Sequence, residues 1–241
     1  MAQTDLTKSL KRRFDKLKTN RQNWETHWQE VADYMLPRKA DVTKTRSKGD
    51  KRTELIFDSS PLQSVDLLAA SLHGMLTNPS TPWFTLRYKD PEIENDDEAK
   101  LWLESATDAM YVAFNRSNFQ QEIFELYHDL ITFGTACMFV QDDDEDTLKF
   151  STRHINEIYI SENEKGKVDT VYRLFKMSVR AAFQQFGEAI STGTKGLITK
   201  DPYEEISILH AVYPRNDFDP KKQDRKNMPF ESVYMEYKNL N

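Results

Sequence analysis

The chain has 241 residues, 38% of them hydrophobic and 30% charged, with only 7 glycines; that balance can bury a sizeable core in one large domain or two modest ones and excludes general disorder. Its net charge of -6 argues against a general nucleic-acid coat, which needs cations in excess to neutralise phosphates. No apolar run approaches the roughly 20 residues that span a bilayer, and the opening "MAQTDLTKSLKRRF" lacks the apolar core and cleavage site of a secretory signal, so a protein made and used in a cytosol is expected.

Residues 5 to 36 place Leu6, Leu10, Phe14, Leu17, Trp24, Trp28, Val31 and Met35 at steps of three, four and seven, the stripe of one long amphipathic helix that Pro37 ends. The stripe of Trp24, Trp28 and Val31 is expected to pack inward. Residues 38 to 52 follow without apolar periodicity and read as an exposed loop. They carry Arg38, Lys39, Lys44, Arg46, Lys48, Lys51 and Arg52 against Asp41 and Asp50, a local balance of +5 that leaves about -11 on the rest. Leu62, Val65, Ala69, Leu72 and Leu76 line a second helix, with Ser60 as N-cap ahead of Pro61. The segment "LTNPSTPWFTLRY" predicts a turn and a short strand alternating Trp83, Thr85 and Arg87 with Phe84, Leu86 and Tyr88. A third helix, from about residue 97 to 114, presents Trp102, Ala106, Ala109 or Met110, and Ala113. A fourth starts at Asn118, which caps it while Gln121 reaches back, and stops at Gly134.

From there the period changes from 3.6 to 2. "ACMFV", the acidic turn "DDDEDT" and "LKFSTRH" predict one hairpin; "EIYIS", a turn around Gly166 and "VDTVYRLFKM" predict another. A capped helix over residues 178 to 186 turns Val179, Ala182, Phe183 and Phe186 inward. "EISILHAVYPR" and "ESVYMEY" are two further strands. Helices first and strands after, with one helix interposed, predict an α+β fold of long N-terminal helices packed with antiparallel hairpins. Residues 1 to 134 form its mainly helical part and residues 135 to 241 its mainly β part.

Local sequence offers little chemistry. "GEAISTGTKG" fails as a phosphate loop, because Thr194 stands before Lys195 where glycine is needed, and reads as a helix stop followed by a flexible loop. The run from Asp142 to Asp146 lacks the alternation and central glycine of a calcium loop and reads as a solvated hairpin tip. None of the five histidines has metal-site spacing, and Ser59, Ser60, Ser64 and Ser71 lack the nucleophile elbow. Cys137, the only cysteine, sits in an apolar run as an inert thiol and permits no internal disulfide. No cofactor, metal or catalytic residue is expected. The basic loop from Arg38 to Arg52 is the one candidate contact for DNA or a partner, by mobile cations following phosphates; a solvated loop is the other reading of it.

"ADYMLPR", "LTNPSTPWFTLR", "SNFQQEIFELYHDLITFGTACMFV", the stretch from "LKFSTRH" to "SVRAAFQQFG", and "ILHAVYPR" stand in an order that resembles the head-to-tail connector, or portal, proteins of short-tailed bacteriophages, over about residues 20 to 237. The resemblance implies a structural protein, not an enzyme. It implies a dodecameric homo-oligomeric ring at one capsid vertex, passing double-stranded DNA and meeting capsid protein, a terminase and tail adaptor proteins, with no membrane partner. Such a protein resides in the virion, and in the host cytoplasm during assembly. The family's chains continue past "ESVYMEYKN" into stem, clip and channel-lining parts, so the resemblance implies the N-terminal wing portion, behaving by itself as a monomer or weak oligomer. A free-standing nucleic-acid-binding module using the basic loop is the alternative.

Overall fold

The computed structural model describes residues 2–47, 49–89, 96–215, 217–222, 224 and 227–238. Contacts divide the chain into two compact units, residues 1–24 with 157–241 and residues 25–156. The first helix, α1 (Ala2–Met35), contributes residues to both. As expected, the chain mixes helices with antiparallel sheet in an α+β fold.

In the first unit, β3 (Ile158–Glu162), β4 (Val168–Ser178), β5 (Glu205–Pro214) and β6 (Phe230–Glu236) form an antiparallel sheet in the order β3-β4-β5-β6. The register places Tyr159, Tyr172, Ala211 and Val233 in one row across all four strands, with Leu209 and Met235 in a neighbouring row. Because strand side chains alternate between faces, these rows present one apolar surface. Leu10, Phe14 and Leu17 of α1 cover it. Phe14 meets Tyr159 edge-on at 4.7 Å, and Arg21 lies 3.6 Å above the Tyr159 ring while donating to the Ile158 carbonyl.

After β4 comes α5 (Val179–Phe186), whose N-cap Ser178 accepts from the Ala181 N–H as its sequence suggests. Val179 and Ala182 are buried, but Phe183 is exposed, since the eight-residue helix has room for only a narrow buried stripe. The segment read as a flexible loop contains a short helix, α6 (Thr192–Leu197). Glu236 of β6 holds its start, accepting from the Ser191 N–H (2.7 Å), the Ser191 hydroxyl (2.9 Å) and the Thr194 hydroxyl (2.7 Å).

The second unit holds the end of α1, α2 (Ser60–Leu76), α3 (Asp97–Arg116), α4 (Phe119–Phe133) and the hairpin of β1 (Cys137–Asp143) and β2 (Thr147–Arg153). Trp28, Ala32, Leu36, Ala40, Phe133 and Ile155 form one core cluster; Ala69, Phe119, Ile123, Tyr127 and Phe150 form another. Trp28 also donates its indole N–H to the Phe133 carbonyl at 3.1 Å. Gly134 ends α4 in the left-handed region (φ 73°), which glycine adopts without a Cβ penalty.

Several details differ from the sequence expectations. Trp24 is 61% exposed, so the inward stripe of α1 does not run through it. Residues 82–88 form no strand: Tyr111 Oη of α3 accepts from the Trp83 and Phe84 N–H groups (2.6 and 2.7 Å) and donates to the Phe84 carbonyl (2.9 Å), so a helix side chain replaces a strand partner. The inward face of α3 carries Leu103, Thr107, Tyr111 and Phe114, leaving Trp102 62% exposed. Asn118 does not cap α4 through its side chain; it donates to the Phe150 carbonyl and accepts from the Phe150 N–H, both at 2.9 Å, tying the helix start to β2. Helix α2 begins one residue earlier than expected: Ser60 is its first residue, and Asp58 accepts from both the Ser60 N–H and its hydroxyl.

Candidate functional site: the basic loop

The loop after α1 is built on two buried polar residues one helical turn apart, Gln29 and Asp33. Gln29 Oε1 accepts from the N–H groups of Val42 (3.1 Å), Thr43 (2.8 Å) and Lys44 (3.1 Å), and from the Thr43 hydroxyl (3.3 Å). Its Nε2 donates to the Ala40 carbonyl (2.6 Å) and to Asp33 Oδ1 (3.0 Å). A buried amide has two donors and an acceptor with two lone pairs, and here both kinds of group are used on the loop backbone. Further along the chain, His154 Nε2 donates to the Lys39 carbonyl (2.8 Å) while Nδ1 accepts from the Asn156 N–H (3.1 Å). Asn156 donates to the Asp41 carbonyl (2.8 Å).

The cations of the loop are matched by carboxylates. Asp33 pairs with Lys44 (2.5 Å) and Arg46 (3.2 Å); Asp41 pairs with Arg46 (2.9 Å) and Arg52 (2.7 Å). On α4, Glu125 pairs with Arg38 (3.1 Å) and Lys39 (3.3 Å), and buried Asp129 pairs with Lys39 at 2.6 Å. The Lys39 side chain is only 16% exposed, whereas that of Arg38 is 53% exposed. Lys51 is exposed with no ion-pair partner among the described residues, and Lys48 lies outside the described residues. The structure thus brings Arg38, Lys39, Lys44, Arg46 and Arg52 against four acids, instead of displaying seven free cations.

These environments act on the acids in opposite directions. Burial pushes the Asp33 carboxyl up, but hydrogen bonds from Lys44 and Arg46 outweigh it and hold the group below its ordinary value. Asp41 is lowered in the same way, burial being outweighed by Arg52 and Arg46. Asp129 goes the other way: burial dominates and raises it despite Lys39. One reason is visible in its coordination, since Asp129 Oδ2 is buried with no hydrogen-bond partner among the described residues.

Elsewhere three further histidines have structural partners, whereas His27 is exposed on α1. His73 faces Gln120 (2.8 Å), His210 faces Ser232 (2.8 Å) and stacks on Tyr234, and buried His128 bridges Asp66 (2.9 Å) and the Phe124 carbonyl (3.0 Å). Among the described residues no group of three or more His, Cys, Asp or Glu could hold a metal ion, and no helix is long and apolar enough to cross a membrane. Cys137 is half-buried at the start of β1. One charged feature escaped the sequence reading: Lys8, Arg12 and Lys16, four residues apart, form an exposed column on α1. Its signal is the i, i+4, i+8 spacing of like charges, obscured by Lys11 and Arg13 between them and Lys18 just after.

A family model described as bacteriophage head to tail connecting protein matches residues 7–241. Similar curated proteins include a "Probable portal protein" of Bordetella phage BPP-1 and a "Portal protein" of Salmonella phage epsilon15. Each is 34% identical over 239 residues, covering 98% of this chain and 43% of the relative. The chain therefore spans less than half the length of these relatives.

Proposed function

The chain belongs to the bacteriophage head to tail connecting family, and from that premise we propose that it serves as the wing portion of a portal, a structural connector at one vertex of the capsid. The observation that carries this reading is the extent of the match, residues 7–241, which takes in both compact units and not one shared motif. In this role the chain forms a homo-oligomeric ring with the other parts of a full-length portal. Double-stranded DNA passes through that ring, and its neighbours are capsid protein, a terminase and tail adaptor proteins. The chain itself performs no catalysis; it resides in the virion, and in the host cytoplasm during assembly.

The basic loop fits this structural role as a clamp. Gln29 gathers its backbone and four carboxylates gather its cations, so the loop fixes local shape. The alternative of a free-standing nucleic-acid-binding module needs those same cations for phosphates, and engaging DNA would first break their existing pairs.

Immunogold electron microscopy tests the connector reading. Antibodies against the 241-residue chain are expected to label tail-stripped particles of the parent phage at a single vertex. Label spread over the whole shell, or particles free of label while the antibody recognises the protein in the lysate, would overturn it.

A further inference from the structure

Two exposed patches of opposite charge stand without ion-pair partners among the described residues. Lys8, Arg12 and Lys16 lie on the side of α1 away from Leu10, Phe14 and Leu17, spanning about 12 Å of helix at 1.5 Å per residue. Residues 5–21 carry seven cations against Asp5 and Asp15. Of these cations, Lys11 lies over the Tyr237 ring and Arg21 over the Tyr159 ring, while Lys8, Arg12 and Lys16 have no carboxylate partner among the described residues. The hairpin of β1 and β2 ends in Asp142, Asp143, Asp144, Glu145 and Asp146, five carboxylates in succession with no cation partner among the described residues. Within the turn, Asp143 accepts from the Asp146 N–H at 3.1 Å.

Each patch opposes the stability of its own element. Like charges at i, i+4 on a helix repel by a few tenths of a kcal/mol, and a run of carboxylates at a hairpin tip repels in the same way. Opposite charge brought to either patch relieves that repulsion. DNA could match the column alone, because the acidic tip and the net charge of -6 repel phosphates. A second copy of the chain matches both patches at once. Tip and column are different sets of residues, so a copy that offers its tip to one neighbour and its column to another makes a heterologous contact, the kind that propagates head to tail and closes into a ring or runs on as a filament.

We propose that the acidic hairpin tip of one copy docks on the Lys8, Arg12 and Lys16 column of the next. The contact rests on the connector reading and deepens it by naming one surface through which neighbouring copies set their register. Its strength is electrostatic, so it steers association and weakens with salt.

The test is a charge swap followed by sedimentation velocity on the 241-residue chain. Measurements are made at about 0.02 M and about 0.5 M salt, where the Debye length falls from roughly 20 Å to roughly 4 Å. The wild type is expected to self-associate at low salt and dissociate at high salt. The K8E/R12E/K16E and D142K/D144K/E145K/D146K variants, checked for folding by circular dichroism, are each expected to associate at least about tenfold more weakly alone. Mixed in equal amounts they are expected to regain association, because the acidic tip of the first meets the intact column of the second and the reversed charges meet each other. A monomeric wild type at low salt, variants that associate like the wild type, or a mixture that fails to recover would each overturn the proposal. So would a K8E/R12E/K16E variant that loses retention of a fluorescent DNA duplex while self-associating normally, which would make the column a phosphate contact. Single-vertex labelling would leave the connector reading standing in all these cases; a recovered mixture without vertex labelling would remove that reading and keep the contact.

Discussion

Gln29 shows how much one buried amide can organise. Replacing it by alanine leaves the N–H groups of Val42, Thr43 and Lys44 without their partner, while the Ala40 carbonyl keeps the Arg46 guanidinium at 2.7 Å. Each buried polar group left unpaired costs about 1–3 kcal/mol, though water can reach part of this loop, so Gln29→Ala is expected to lower stability by about 3 kcal/mol in a urea titration. The acids around the loop give a test with opposite signs. Asp33 is held below its ordinary value, so its contribution is present at neutral pH and vanishes as pH falls through its folded-state pKa. Asp129 is held above its ordinary value, so its contribution is complete below that ordinary value and is lost as pH rises through its folded-state pKa. On acidification from neutral pH, the stability difference between wild type and Asp33→Asn is expected to shrink. That between wild type and Asp129→Asn is expected to shift in favour of the wild type. Parallel slopes in the two chemical-denaturation series would show that the pairing with Lys44 and Arg46 does not outweigh burial at Asp33. The pairing of Arg38 and Lys39 was not legible in the loop's own residues, because their partners Glu125 and Asp129 come from α4, about ninety residues away in the chain.

At the scale of elements, periodicity identified the helices well and their inward faces unevenly. In α1, Leu10, Phe14 and Trp28 are buried as their spacing predicts, but the same stripe passes through exposed Trp24. Trp28→Ala, from an 8% exposed site with a hydrogen bond to Phe133, is expected to cost about 3–5 kcal/mol. Trp24→Ala is expected to cost about 1 kcal/mol or less, and equal losses in parallel urea titrations would contradict this difference in burial. Helix α3 carries two apolar stripes, Trp102 with Ala106, Ala109 and Ala113, and Leu103 with Tyr111 and Phe114. Amphipathic spacing cannot choose between two such stripes. The choice comes from hydrogen bonding, because Tyr111 and Thr107 supply the backbone of residues 83–86 with hydroxyl partners. That pairing also explains why an alternating segment became no strand: alternation prepares a segment for a sheet, but a ladder needs a neighbour.

For the whole molecule, the connector reading predicts that purified chain turns over neither ATP nor DNA in the presence of magnesium. Phosphoryl transfer needs a positioned metal and a phosphate cradle. Magnesium-dependent turnover abolished by one point mutation would contradict that expectation. The sequence by itself determined the α+β class, the hairpins, most of the helices and the family, since these depend on local periodicity, turn residues and the order of motifs. It also carried both charged patches, as a run of five acids and as a spacing of four hidden among other cations. Only the tertiary structure decided which charges are already spent inside the chain and which remain on its surface. Five cations of the loop, Arg38, Lys39, Lys44, Arg46 and Arg52, are paired with carboxylates, while the Lys8, Arg12 and Lys16 column is left exposed. The physical reason is that a side chain's charge follows from its residue type, whereas its pairing and burial depend on contacts between residues far apart in the chain.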